Sequence, residues 1–175
     1  MDKYNAKGFA LIELLIVVTI ISVLSGIGYL GYNSYINSSK EKITETNHTR
    51  LTNFIKQSMM QCEARMELIL NDENGKTDDQ CDKYNEETLG NLKSAFVKHF
   101  ENGDRWCSPF GKVINGVCQS AVIDAGFYTE ISIPTNKGVS GILYGLNVSG
   151  KDCWSIIIKT RVSNNKVLES INCRY

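Results

Sequence analysis

The sequence predicts an α+β protein in which a long N-terminal α-helix packs on a four-stranded antiparallel β-sheet head with disulfide-braced loops. Three observations predict it. Residues 8–32 form an apolar run of membrane length that holds one charge, Glu13. Apolar residues then recur at helical spacing as far as Leu70. After Ala125 the period changes to alternation, in four short runs separated by turn residues.

The chain has 175 residues, enough for one domain with a real core. Its 19 basic and 19 acidic side chains cancel, so no charge excess points to nucleic acid or to an acidic substrate. The six cysteines, Cys62, Cys81, Cys107, Cys118, Cys153 and Cys173, all follow the apolar run. They form no Cys-x-x-Cys, and neither His48 nor His99 lies near one of them in sequence, which disfavours zinc. Disulfides in an oxidising compartment fit better, and they place everything after the apolar run outside the cytoplasm.

Lys3 and Lys7 precede the apolar run and hold that end in the cytoplasm. A secretory signal peptide would show a similar layout, and Ser25-Gly26-Ile27-Gly28 is small enough for a cleavage site. Glu13 argues against that reading. A carboxylate at the centre of a membrane helix costs ~2.5–3.5 kcal/mol on insertion scales, so an acid there calls for a function and a partner. Phe9 to Tyr32 spans about 24 residues, enough to cross a bilayer of roughly 30 Å. Gly26, Gly28 and Gly31 each weaken the helix by about 0.5–1 kcal/mol relative to Ala, and they mark where it is expected to bend or melt.

The stretch Lys7-Gly8-Phe9-Ala10-Leu11-Ile12-Glu13-Leu14-Leu15-Ile16-Val17-Val18 resembles the class III signal and mature N-terminus of type IV pilins. The resemblance is close over roughly the first 35 residues and extends to the rest only in layout. It implies that a prepilin peptidase cuts between Gly8 and Phe9 and methylates the new amino terminus of Phe9. It also implies that Glu13 is the assembly residue. Tyr32 and Tyr35 stand where pilins commonly carry tyrosines. Leu30 occupies a position where many pilins have a kinking proline, which leaves flexibility to the glycines. Physical chemistry agrees with the implied role: the Phe9 amine of one subunit against Glu13 of its neighbour would pair two charges that are expensive to bury alone. The plainer alternative is an ion pair within one chain that serves insertion only.

Beyond Tyr32, Ile36, Ile43, Leu51, Phe54, Ile55, Met59, Cys62, Met66, Ile69 and Leu70 define one face of an amphipathic helix. Lys40, Glu41, Lys42, Glu45, Arg50 and Lys56 fill a solvated face. With no proline between Phe9 and Leu70, one nearly continuous helix is predicted, its half over 33–70 serving as the spine of the head over 71–175. Asn71 to Asp79 ends it as an acidic turn, whose glycine is misplaced for a calcium-binding EF-hand loop. A second amphipathic helix is predicted over about 86–101, where Glu86 and Glu87 suit a helix start rather than an acid pair. Residues 102–125 read as a surface loop holding Cys107, Trp106, Phe110 and Cys118. The strands follow over about 126–173: Phe127 to Ile133, Ile142 to Val148, Trp154 to Val162, and Lys166 to Cys173, joined as an antiparallel meander.

Six cysteines allow 15 pairings. Short closures favour the sequential set Cys62–Cys81, Cys107–Cys118 and Cys153–Cys173. No nucleophile beside a base, phosphate loop or metal-spaced histidine pair is present, so no enzyme, metal or cofactor is expected. His48 and His99 read as surface or satisfied side chains. Asn47 and Asn147 head glycosylation sequons, a weak pattern. Lys151, Lys159, Arg161, Lys166 and Arg174 would form a DNA-binding stripe only if they cluster in space.

The expected function is thus a pilus subunit, made as an inner-membrane precursor and assembled into an extracellular filament for adhesion, motility or DNA uptake. By resemblance its partners are other pilin subunits, minor pilins, a prepilin peptidase, an inner-membrane platform protein and an assembly ATPase. A minor pilin or secretion pseudopilin is the nearest alternative. A single-pass protein carrying an extracytoplasmic binding or sensor module is the alternative of another class.

Overall fold

The structure, a computed structural model, describes residues 11–72, 75–76, 81, 86–103, 106–127, 133–146 and 153–174. Helix α1 runs from Leu11 to Glu63. The chain divides between Ser39 and Lys40 into two compact units. In the first, α1 is apolar all round, and its large side chains from Leu11 to Tyr35 are exposed. Helix continues through Gly26, Gly28 and Gly31, around which a Cβ would meet nothing within 4 Å.

In the second unit, α1 changes from an all-round apolar helix to a one-sided one. The buried positions are Thr44, His48, Leu51, Ile55, Ser58, Met59 and Cys62, spaced by three and four. Periodicity of apolar residues alone placed Ile43 on this face. The structure leaves Ile43 half exposed and buries Thr44 and His48 instead, so the packed face begins polar and becomes apolar toward Cys62.

The predicted helix to Leu70 is corrected: α1 stops at Glu63. Arg65 takes a left-handed backbone with φ 56°. The Met66 amide donates to the Gln61 carbonyl and the Arg65 amide to the Cys62 carbonyl, both at 3.0 Å. These two bonds form a Schellman motif, which satisfies carbonyls that a helix end otherwise leaves without partners. Leu68 and Leu70 are still core residues, but they enter the core after the helix has ended.

The acidic turn contains a minimal two-stranded pair, β1 (Asn71–Asp72) with β2 (Gly75–Lys76). Residues 73–74 and 77–80, which complete the predicted acidic loop, lie outside the described residues. Helix α2 (Glu86–Lys98) leads into a π-helical turn over His99–Gly103. Residues 102–125, expected as loop, also hold a hairpin of β3 (Val113–Ile114) and β4 (Val117–Cys118). Asn115 and Gly116, with φ of 51° and 79°, form its two-residue turn. That is the backbone sign a type I′ turn requires and the reason Asn-Gly suits it.

The main sheet has the order β5 (Val122–Phe127), β6 (Val139–Leu146), β7 (Trp154–Arg161) and β8 (Val167–Arg174). It is mixed, which corrects the meander: β5 pairs parallel to β6, whereas β6–β7 and β7–β8 are antiparallel. The first strand lies earlier than the alternation over 127–133 suggested, and residues 128–132 lie outside the described residues. A parallel neighbour needs a crossover rather than a hairpin, and alternation within a strand does not distinguish the two.

Ile142, Ile156 and Ile158 on one face of the sheet join Val122, α2 and the upper part of α1 in the main core. Phe54 stands at its centre of aromatic contacts, 6.0 Å from Phe96 and 5.1 Å from Phe100, both edge-on, and stacked on His99 at 5.1 Å. Leu143 and Ile157 form a smaller cluster on the opposite face. The cystine pairs are Cys62–Cys81, Cys107–Cys118 and Cys153–Cys173, with Cα separations of 5.0, 5.6 and 5.8 Å. They tie the end of α1, the β3–β4 hairpin and the ends of β7 and β8, each closing a short loop worth about 3 kcal/mol in the chain-entropy model.

Arg65 supplies a direct test of the helix stop. Because a non-glycine residue is disfavoured at positive φ, Arg65→Gly is expected to stabilise the head by about 0.5–1 kcal/mol and Arg65→Val to destabilise it by about as much. Denaturant unfolding of the three proteins in detergent checks the order.

Candidate assembly segment and the head that carries it

The N-terminal unit holds one charge among its described residues, Glu13, in the first turn described for α1. Two of its hydroxyls bond back within the helix: Thr19 donates to the Ile16 carbonyl at 2.8 Å and Ser22 to the Val18 carbonyl at 2.7 Å. Such back-bonding lets a hydroxyl sit in hydrocarbon without a water partner. Glu13 has no counter-charge among the described residues. Gly8 and Phe9, the expected cut site and the expected source of the ammonium partner, lie outside them. The segment is long and apolar enough to cross a membrane by length and composition.

The head grips α1 by its polar positions as well as by its core. His48 is buried, with Nδ1 2.8 Å from Thr160 Oγ1 and Nε2 2.7 Å from Ser170 Oγ. Thr160 Oγ1 in turn lies 2.7 Å from Ser140 Oγ. Hydroxyls both donate and accept, so this chain satisfies the imidazole in either tautomer. Nearby, Glu45 bonds Lys42 of its own helix at 3.2 Å and Lys166 from the β7–β8 turn. The hydrogen bond from Lys166, then that from Lys42, holds the Glu45 carboxyl below its ordinary pKa.

Sequence reasoning treated His48 singly and missed the network. The signal was phase: Thr44 and His48 continue the spacing of Leu51 and Ile55, and Thr160 continues that of Ile156 and Ile158. A buried polar cluster at a helix–sheet contact requires such matched phases on both partners.

The basic residues considered for DNA do not form a free stripe among the described residues. Lys159 is buried and lies 3.6 Å from Glu169 of its cross-strand partner. Arg161 Nε donates to the Pro134 carbonyl at 2.6 Å, and Lys166 is held by Glu45. Lys151 is outside the described residues, and the Arg174 side chain is not described. Asn147 also lies outside, whereas Asn47 is half-buried on α1. On α2, the buried Lys93 reaches Asp124 of β5 at 2.5 Å. Lys40 and Lys137 both stand over the Phe110 ring, at 5.6 and 6.0 Å from its centroid.

Residues 3–29 match the family model described as the prokaryotic N-terminal methylation motif. Over these residues the chain is similar to the class III signal peptide of type IV pilins, which supports a pilin-like or pseudopilin-like precursor. With its long helix on a disulfide-bonded sheet, the head is α+β and pilin-like in layout. The motif implies processing by a prepilin peptidase and assembly with other pilins, and together with the apolar helix it indicates membrane anchoring of the precursor. No curated protein matches the chain, and no solved structure matches it.

Burial lowers the His48 pKa from its ordinary 6.5. With the folded value below the unfolded one, the unfolded chain takes up the proton first as pH falls. The contribution is therefore complete above the unfolded value and is lost as pH falls below it through the folded value. His48→Gln, which retains hydrogen bonding but not titration, is expected to flatten the decline in melting temperature between about pH 8 and pH 5. Parallel melting curves for the two proteins across that range would contradict this assignment.

Proposed function

We propose that the chain is the precursor of a structural subunit of a type IV pilus filament. It enters the inner membrane by its apolar helix with the head outside the cytoplasm. Prepilin peptidase cuts between Gly8 and Phe9 and methylates Phe9, and the mature chain polymerises through α1 into an extracellular filament. The match over residues 3–29 carries this reading.

Glu13 then has a defined job. In lipid the carboxylate lacks a strong partner, and in the filament the Phe9 ammonium of an adjacent subunit supplies one, favouring one axial register. Lipid tails and apolar side chains solvate one another almost equally well, so the hydrophobic effect does not by itself draw the helices out of the membrane. An ATPase-driven platform fits that requirement. Gly26, Gly28 and Gly31 supply local softness if the helix must adjust on leaving lipid. The filament's task on this reading is adhesion, motility or DNA uptake. A minor pilin or pseudopilin of a secretion filament would use the same cut site and the same acid.

The reading is tested at both functional positions. Protein recovered from filaments should begin at N-methyl-Phe9. Glu13→Ala should leave membrane levels of the precursor within about two-fold of wild type while filaments fall by at least ten-fold, an effect of the size expected for an unpaired charge in an apolar setting. Mature protein starting at Met1 together with normal function of Glu13→Ala would instead identify an anchored sensor or binding module. A start near Gly28 would identify a secretory signal.

A further inference from the structure

The β3–β4 hairpin is small, disulfide-braced and unusually apolar for its exposure. Val113, Ile114 and Val117 are 69%, 66% and 71% exposed. Between this hairpin and the π-helical turn after α2 lies a cavity of about 440 Å³, lined by Val113, Val117, Trp106, the Cys107–Cys118 cystine, Ser120 and Glu101. That volume is in the range of small-ligand sites.

Three of its groups have a combined chemistry. Trp106 is half-buried and packed at 4.7 Å against Phe100, which holds the indole in place. The valines add an apolar wall. Glu101 has neither a hydrogen-bond nor an ion-pair partner among the described residues, and partial desolvation, then the negative charge of Asp124, raises its pKa. A carboxylate destabilised by loss of water and by a like charge gains most from a cation. An indole beside it favours a cation that is weakly hydrated and carries apolar surface. Ser120 adds little, because its hydroxyl already bonds the Val122 carbonyl.

We propose that this cavity binds an organic cation, an alkylammonium or guanidinium group on a short apolar stem, with Glu101 as counter-ion, Trp106 as aromatic platform and Val113 and Val117 around the stem. The cation is supplied either by a free small molecule or by a lysine or arginine side chain of a second copy. The site does not depend on the filament reading. It sits in the head, and its chemistry is the same whether or not the chain polymerises.

The test uses the full chain in detergent micelles, titrated with butylguanidinium chloride, with butylammonium chloride, and with 1-pentanol as a neutral analogue, while tryptophan fluorescence is followed. Both cations are expected to give a saturable change that Trp106→Phe removes, and 1-pentanol to bind at least about ten-fold more weakly. Glu101→Gln, a change at an exposed side chain, should weaken cation binding by about ten-fold or more with no fall in melting temperature. A second variant, Val117→Lys, places an ammonium on the exposed hairpin and should reduce cation binding without loss of the fold. Non-saturable signals, equal binding of 1-pentanol, or Glu101→Gln binding as wild type would each overturn the proposal.

With saturable cation binding in hand, dilution of the probe-free chain identifies the source. A Trp106 signal that varies with chain concentration in wild type but not in Glu101→Gln assigns the cation to a second copy. A signal independent of concentration assigns it to a free small molecule. Both outcomes support the site.

Discussion

A carboxylate in an apolar environment must have a partner, and Glu13 is where this chain meets that constraint. The surrounding segment makes few competing demands for charge: Thr19 and Ser22 bond back to carbonyls of their own helix, and no other charge occurs from Leu11 to Ser39. Among the described residues of that segment, Glu13 is the charge without a counter-charge. Under the proposed reading, a cut between Gly8 and Phe9 would create a new amino terminus four residues before that acid and so supply a cation of the right sign. On that proposal cleavage and assembly would be connected through one charge, because an uncut precursor presents an amide rather than an ammonium at Phe9.

The same helix must then serve a second environment. From Lys40 onward only one face is covered, and the way that face is covered changes along its length. Near Thr44 and His48 the contact is hydroxyl and imidazole against Ser140, Thr160 and Ser170. From Leu51 to Cys62 it is apolar, centred on Phe54, Phe96 and Phe100. Apolar packing supplies most of the burial energy, roughly 1.5–3 kcal/mol for each large side chain taken out of water. Polar pairing adds directional selectivity, since a one-residue rotation of α1 would leave His48 and its hydroxyl partners buried without bonds. Of the three short cystines, Cys107–Cys118 holds a segment that contributes little to that core, the β3–β4 hairpin, whose valines face solvent.

Much of this was legible in the sequence, for identifiable reasons. A run of apolar residues reports its own environment, so the N-terminal segment and its single acid could be read directly. Strong helical periodicity located α1 and α2, and alternation located β6 to β8 within a few residues. The failures share a physical origin, which is that they depended on a partner distant in sequence or on backbone sign. Whether a strand pairs parallel or antiparallel is set by its neighbour, so alternation from Phe127 to Ile133 reads as the first strand of a meander, whereas the strand beside β6 is β5, which starts at Val122 and pairs parallel to it. The end of α1 turned on Arg65 accepting a left-handed backbone, a position usually given to glycine, and nothing in the apolar pattern through Leu70 announced it. Asn115-Gly116 did announce a hairpin, but Val-Ile on one side and Val on the other made strands too short to register by alternation.

Charges on the head show the same dependence on distant partners. Lys159, Arg161 and Lys166 look like a basic series in sequence, yet each meets an acceptor inside the fold: Glu169, the Pro134 carbonyl and Glu45. A charge already matched within the molecule contributes little field to an incoming polymer, because its potential is largely cancelled at the surface. Unmatched charge is therefore the better guide to what the head can meet. By that standard Glu101 is more informative than the basic series, and so are Lys40 and Lys137, each of which stands over the Phe110 ring. The described residues of this head offer such aromatic–charge sites rather than a continuous basic stripe. An aromatic surface beside a single charge discriminates by the shape and hydration of one group, whereas a stripe responds mainly to the charge density of a polymer.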